Sequence, residues 1–131
     1  MNVLAGCITT ASAAIADAHI DCLDLVAGGV ASFVSDSSDG SPLPAPQLML
    51  DTDPAEHRSI VSACVVAYMP TRDEITEVWL KGDSSKVLHV VDDNRTGHEI
   101  LLDGAVDAAR GASSVLAEAI RESLMHAAGQ D

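Results

Sequence analysis

The sequence predicts an α+β fold, a mostly antiparallel sheet packed with helices. Two observations carry this. Apolar and small residues recur at spacings of three and four near the start of the chain and from residue 99 onward, which is the period of a helix face. Between them lie short apolar runs bounded by Gly, Pro, Asp and Ser, which is the pattern of strands and turns. A chain of 131 residues with 47% hydrophobic residues is long enough to build one core without disulfides or metal.

In the first helix, Leu4, Ile8, Ala11, Ile15 and Ala18 form the expected buried stripe. Gly6, Ala13, Ala14 and Ala16 allow close approach to a neighbour. Residues 25–34 (LVAGGVASFV) are almost wholly apolar and read as a strand buried on both faces. Gly28 and Gly29 within it point to a bulge or to another backbone lying close. Residues 35–46 (SDSSDGSPLPAP) read as a flexible loop that extends a hairpin.

Residues 47–51 form a short strand, and Asp53-Pro54 turns the chain. Residues 59–69 (SIVSACVVAYM) form a second buried strand, stopped by Pro70. A polar turn leads into residues 75–81, whose alternation predicts a bulge near Glu77. Residues 87–91 are a candidate extra strand. The last helix carries Leu101, Ala105, Ala108, Ala112, Leu116, Ile120 and Leu124 on one face and ends at Gly129. Gly104 and Gly111 mark a kink or a close crossing. No internal repeat is present.

Seven Lys and Arg face twenty Asp and Glu, a formal charge of −13. Such a surface repels phosphate backbones and anionic lipid, which excludes a stand-alone, non-specific nucleic-acid binder. Three aromatic residues, Phe33, Tyr68 and Trp79, are too few for a base-stacking platform, and Trp79 reads as a packing residue. Cys7, Cys22 and Cys64 lie far apart with no CxxC spacing, so they read as buried, reduced thiols of the cytosol or nucleus. Residues 1–16 carry no charged side chain, but lack the basic start of a secretory leader. The longest apolar run is too short to span a bilayer.

The densest polar cluster is Asp51, Asp53, Glu56 and His57. Its oxygen and imidazole ligands suit a divalent cation, but the spacing matches no metal loop, and turn chemistry is the preferred reading. His19, His89, His98 and His126 are scattered and read as surface or packing histidines. Asp103 and Asp107 share a helix face as solvated carboxylates. No GxSxG elbow and no Gly-rich phosphate loop is present. The expected catalytic, metal and cofactor sites are therefore none, and RNA-contacting residues are not identifiable.

Residues 3–18 (VLAGCITTASAAIADA), followed by residues 24–30 (DLVAGGV), resemble the second half of an RNase PH domain. Residues 67–79 (AYMPTRDEITEVW) resemble the strand–turn–strand of one branch of that family, the mRNA-transport-regulator-type ring subunits of the fungal RNA exosome. The resemblance implies the C-terminal half of an RNase PH-like fold, of the ribosomal protein S5 domain 2-like type, over residues 1–131. It also implies a place among other RNase PH-like ring subunits and cap subunits, in the nucleus, nucleolus and cytoplasm. RNA is then met only through the assembled complex, with no membrane and no cofactor.

Two departures bear on activity. The family's Gly-Gly-Ser/Thr-Arg phosphate motif before the first helix has no counterpart ahead of Val3. The active enzymes' two carboxylates align near His57 and Ala63, and residues 59–69 contain no acidic residue. The resemblance thus implies a non-catalytic subunit rather than a phosphorolytic 3′ exoribonuclease. An unrelated α+β interaction module is the remaining alternative. Half of such a fold is a thin layer. The last helix is expected to cover one face of the sheet, leaving the other face and an edge open, so that the chain self-associates or needs partner chains.

Overall fold

The computed structural model describes residues 1–35, 46–53, 60–84 and 95–128. Helix α1 (Asn2–Asp17) is followed by strands β1 (Ala27–Val34), β2 (Gln47–Leu50), β3 (Ile60–Met69) and β4 (Glu74–Gly82), then by helix α2 (Gly97–Ala128). The strands form one antiparallel sheet in the order β2-β1-β3-β4. The α+β class and the order of elements are those expected from the sequence. Most of the loop at 35–46, the candidate strand at 87–91 and Gly129 lie outside the described residues.

Alternation along β1 assigns the two faces. Ala31 and Phe33, with Cys64, Val66 and Tyr68 of β3, pack on Leu101, Ala105 and Ala109 of α2, and this is the main core. Val30 and Val65 point the other way and meet Ala5 of α1. The helices thus lie on opposite faces. The face expected to be open is covered over β1 by α1, because the glycine pair lets both helices approach. A Cβ on Gly28 would sit 2.4 Å from the Ala5 carbonyl oxygen. One on Gly29 would sit 2.0 Å from the Ala105 carbonyl oxygen. The pair therefore marks backbone approach, while the irregularity in β1 falls between Phe33 and Val34.

This closeness corrects the expected stripe of α1. Ala5 and Ser12 are its buried residues, whereas Leu4, Ala11, Ile15 and Ala18 are exposed. Only small side chains fit beneath a helix that lies against Gly28. Two hydroxyls on that inner face finish the edge of β1 where β2 stops. Thr9 Oγ1 accepts from the Gly28 amide at 2.9 Å, and Ser12 Oγ accepts from the Val26 amide at 2.8 Å. An unpaired backbone donor at a sheet edge is thereby satisfied by a helix instead of a strand.

Helix α2 opens on a capping box. The Thr96 amide donates to Glu99 Oε2 at 2.7 Å and the Glu99 amide donates to Thr96 Oγ1 at 3.3 Å. It runs unbroken past Gly104, whose missing side chain admits Leu48, Leu50 and Ala31 closely. The expected bulge near Glu77 is present: Ala67 pairs with Glu77 and Tyr68 with Ile75, leaving Thr76 as the extra residue.

Candidate functional site

Two uncovered apolar surfaces stand out, one on α1 and one on β4. Ile8, Ala11 and Ile15 of α1, with Ile20, Leu25 and Val26 of the following segment, line an open groove of about 740 Å³. The residues expected to be core in this helix are therefore the wall of a groove. Val3 and Leu23 stand even more open, at 80% and 86% exposure. On the far side of the sheet every residue of β4 is exposed. Ile75, Val78, Trp79 and Leu80 are each 40–47% exposed, so Trp79 is not the packing residue its position in a strand suggests.

Between these surfaces the β3–β4 turn is held rigidly. Asp24 accepts hydrogen bonds from the Thr71 amide (2.8 Å), Thr71 Oγ1 (3.0 Å), the Arg72 amide (3.3 Å) and the Leu25 amide (2.8 Å). Burial pushes the Asp24 carboxyl up, but these bonds together outweigh it and hold it below the usual value. Asp73, with a φ of 54°, accepts from the Tyr68 hydroxyl and from Arg110, and these two bonds hold its carboxyl low. Arg110 also donates to the Tyr68 oxygen at 3.2 Å, and its guanidinium lies 5.4 Å from the ring centroid. Those contacts keep Arg110 firmly protonated, led by the bond to Tyr68. Every charged side chain here has a partner, so the cluster sets the geometry of a turn.

The predicted candidates do not converge. Asp51 has a φ of 49°, which bends the chain there, and its amide donates to the Val30 carbonyl at 3.1 Å, one position beyond the Ala31–Leu50 pair of the β1–β2 ladder. Thr52 beside it is buried and hydrogen-bonds Ser32, while the Asn2 side-chain amide donates to the Thr52 carbonyl at 2.9 Å. Glu56 and His57 lie outside the described residues. No group of three metal-ligating side chains occurs among the described residues. His19, also at positive φ, packs its Nδ1 2.7 Å from the Asp17 carbonyl oxygen. His98 and His126 are exposed, and His89 is outside the described residues. Asp103 pairs with Arg95 and Asp107 with Arg110.

Ala63, the second position aligned with the carboxylates of the resembled enzymes, is fully buried in β3 opposite Ser32. Cysteine placement is a correction: Cys64 is buried, but Cys7 and Cys22 are exposed. Cys7 stands on the side of α1 turned away from Gly28, and Cys22 follows the helix in the exposed return segment. Among the described residues no helix is long and apolar enough to cross a membrane.

No family model matches the chain. Curated relatives do. The exosome complex component MTR3 of Chaetomium thermophilum is 46% identical over 124 residues, which is 95% of this chain and 40% of that protein. The exosome complex component mtr3 of Schizosaccharomyces pombe is 34% identical over 87 residues, covering 65% of this chain and 31% of that protein. The chain thus spans 40% or less of the length of these relatives. Over 95% of its own length the chain is similar to a fungal exosome component, and the α+β architecture described above agrees with that likeness.

Proposed function

We propose that this chain is a non-catalytic structural subunit of the RNA exosome core ring, supporting 3′-to-5′ RNA processing and degradation. The observation that carries the reading is the 46% identity to a fungal exosome component over 95% of the chain. Residues 1–131 supply the C-terminal half of an RNase PH-like domain. The partners are other RNase PH-like ring subunits and cap subunits, and RNA is met only in the assembled complex. The sites of action are the nucleus, nucleolus and cytoplasm.

Physical features support this. An open apolar groove lined by Ile8, Ala11 and Ile15 suits a chain that is covered by neighbours. A charge of −13 leaves phosphate contact to basic neighbouring chains. β3 contains no Asp or Glu, and a metal-assisted phosphorolytic step needs charge beside the transferred phosphate. A phosphorolysis assay with poly(A), inorganic phosphate and magnesium tests the non-catalytic assignment. No nucleoside diphosphate is expected. Phosphate-dependent release by the purified chain would overturn the assignment in favour of an exoribonuclease.

A further inference from the structure

The exposed strand β4 carries a pattern that is complementary to itself. It is the outermost strand of the sheet, nine residues long, and its far edge has no strand partner among the described residues. We infer that two copies of this chain pair antiparallel through their β4 edges, with Trp79 opposite the partner's Trp79. This goes beyond the exosome reading and does not rest on it.

The register follows from the bulge. Thr76 is the extra residue, so regular alternation holds from Glu77 to Gly82. Within that stretch Val78 and Leu80 lie across from Val66 and Cys64, which face α2. Glu77, Trp79 and Lys81 lie across from Ala67, Val65 and Ala63, on the α1 side. Residues directly opposite in an antiparallel ladder share a face. A two-fold axis normal to the sheet maps each face onto itself. A register centred between two residues would set α2-side residues against α1-side residues, so the axis must pass through a residue.

Centring on Val78 sets Glu77 against the partner's Trp79. Centring on Leu80 sets Trp79 against the partner's Lys81. Centring on Trp79 sets Glu77 against the partner's Lys81, Val78 against the partner's Leu80, and the two indoles against each other. Symmetry repeats the ion pair and the apolar pair. Lysine on an exposed edge ordinarily deters pairing, but here the partner's Glu77 answers it. Val78, Trp79 and Leu80, at 40%, 44% and 47% exposure, gain the cover that neither helix supplies.

Sedimentation equilibrium of the full 131-residue chain tests this, comparing wild type with Glu77→Lys, Lys81→Glu and the double reversal. The expected wild type is a reversible dimer with a dissociation constant in roughly the micromolar range, as for a small interface. Each single reversal places like charges in both symmetric pairs and should weaken the dimer about tenfold or more. The double reversal restores opposite charges and should return the affinity to within about threefold of wild type. Because these side chains are exposed, circular dichroism melts of the variants, taken at a concentration low enough for all to be monomeric, should match wild type. A chain still monomeric at about 100 µM overturns the inference. So does a dimer indifferent to the single reversals, or one that the double reversal fails to restore while its fold is intact. None of these outcomes involves an exosome subunit, so failure here is distinct from failure of the ring assignment.

Discussion

Substituting Gly29 with alanine should destabilise the fold far more than the addition of one methyl group suggests. The new Cβ would sit 2.0 Å from the Ala105 carbonyl oxygen and 2.4 Å from the Ala109 amide nitrogen. Both are backbone atoms of α2, so no side chain can rotate away. The helix must retreat from β1 by about an ångström, and a gap of that size forfeits about a quarter to a half of each dispersion contact. Those contacts include Leu101, Ala105 and Ala109 against Ala31, Phe33 and Cys64. Overpacking a tight core costs about 1–3 kcal/mol, and a clash with rigid backbone belongs at the upper end.

At about 2.1 cal/mol/K per residue over 131 residues, each kcal/mol moves the melting midpoint by roughly 3.6 °C. Gly29→Ala should therefore lower Tm by about 10 °C. Gly111→Ala is the matched control. A Cβ there meets nothing within 4 Å, and the helix gains about 1 kcal/mol from the better helix former, a rise of about 4 °C. Both are read by thermal circular dichroism at one protein concentration, because self-association makes Tm concentration-dependent. A Gly29→Ala chain melting within about 3 °C of wild type would refute the close approach of α2 to β1.

Other outcomes follow from the same geometry. Asp24→Ala removes the acceptor for the Thr71, Arg72 and Leu25 amides and should cost about 1 kcal/mol at neutral pH, read by urea unfolding. Asp24 and Asp73 both have carboxyls lowered from 3.8, so their contribution is complete above that value and is lost as pH falls below it through the lower folded value. The wild-type Tm should accordingly fall more steeply than that of the Asp24→Ala, Asp73→Ala double variant as the medium is acidified below about pH 4; equal slopes would contradict the clamp. Cys7 and Cys22 should react rapidly with a thiol reagent in the native chain, whereas Cys64, fully buried with its thiol pushed up to about 11, should react only on unfolding. The isolated chain should not bind single-stranded RNA at physiological salt, and a micromolar dissociation constant by fluorescence anisotropy would contradict the charge argument.

The strands were legible because their signals are local. Residues 60–69 form an apolar run with Pro70 behind it, and the bulge at Thr76 shows as a break in alternation. The inner face of α1 was not legible. Period alone selects the larger residues Leu4, Ile8 and Ile15, while the packing selects Ala5, Thr9 and Ser12, because what lies beneath is the bare backbone of Gly28. The glycine pair signalled a close approach but not which helix used which glycine. Trp79 was misread for a related reason. A tryptophan in a strand is buried only if something covers that strand, and no local pattern reveals that both helices sit over β1. The clamp joins Asp24 to Thr71 across 47 positions, and the Arg110–Asp73 contact spans 37, so neither leaves a spacing to find. The resemblance to exosome components was legible from residues 3–18, 24–30 and 67–79, because the motifs occur together in order.

The most direct test of the central claim is affinity capture of the tagged chain from fungal cells, with the bound proteins quantified by mass spectrometry. The ring assignment predicts that RNase PH-like ring subunits and cap subunits are recovered together, in near-equal amounts and resistant to ribonuclease. Recovery of the folded chain with no exosome subunit above the untagged control would contradict it.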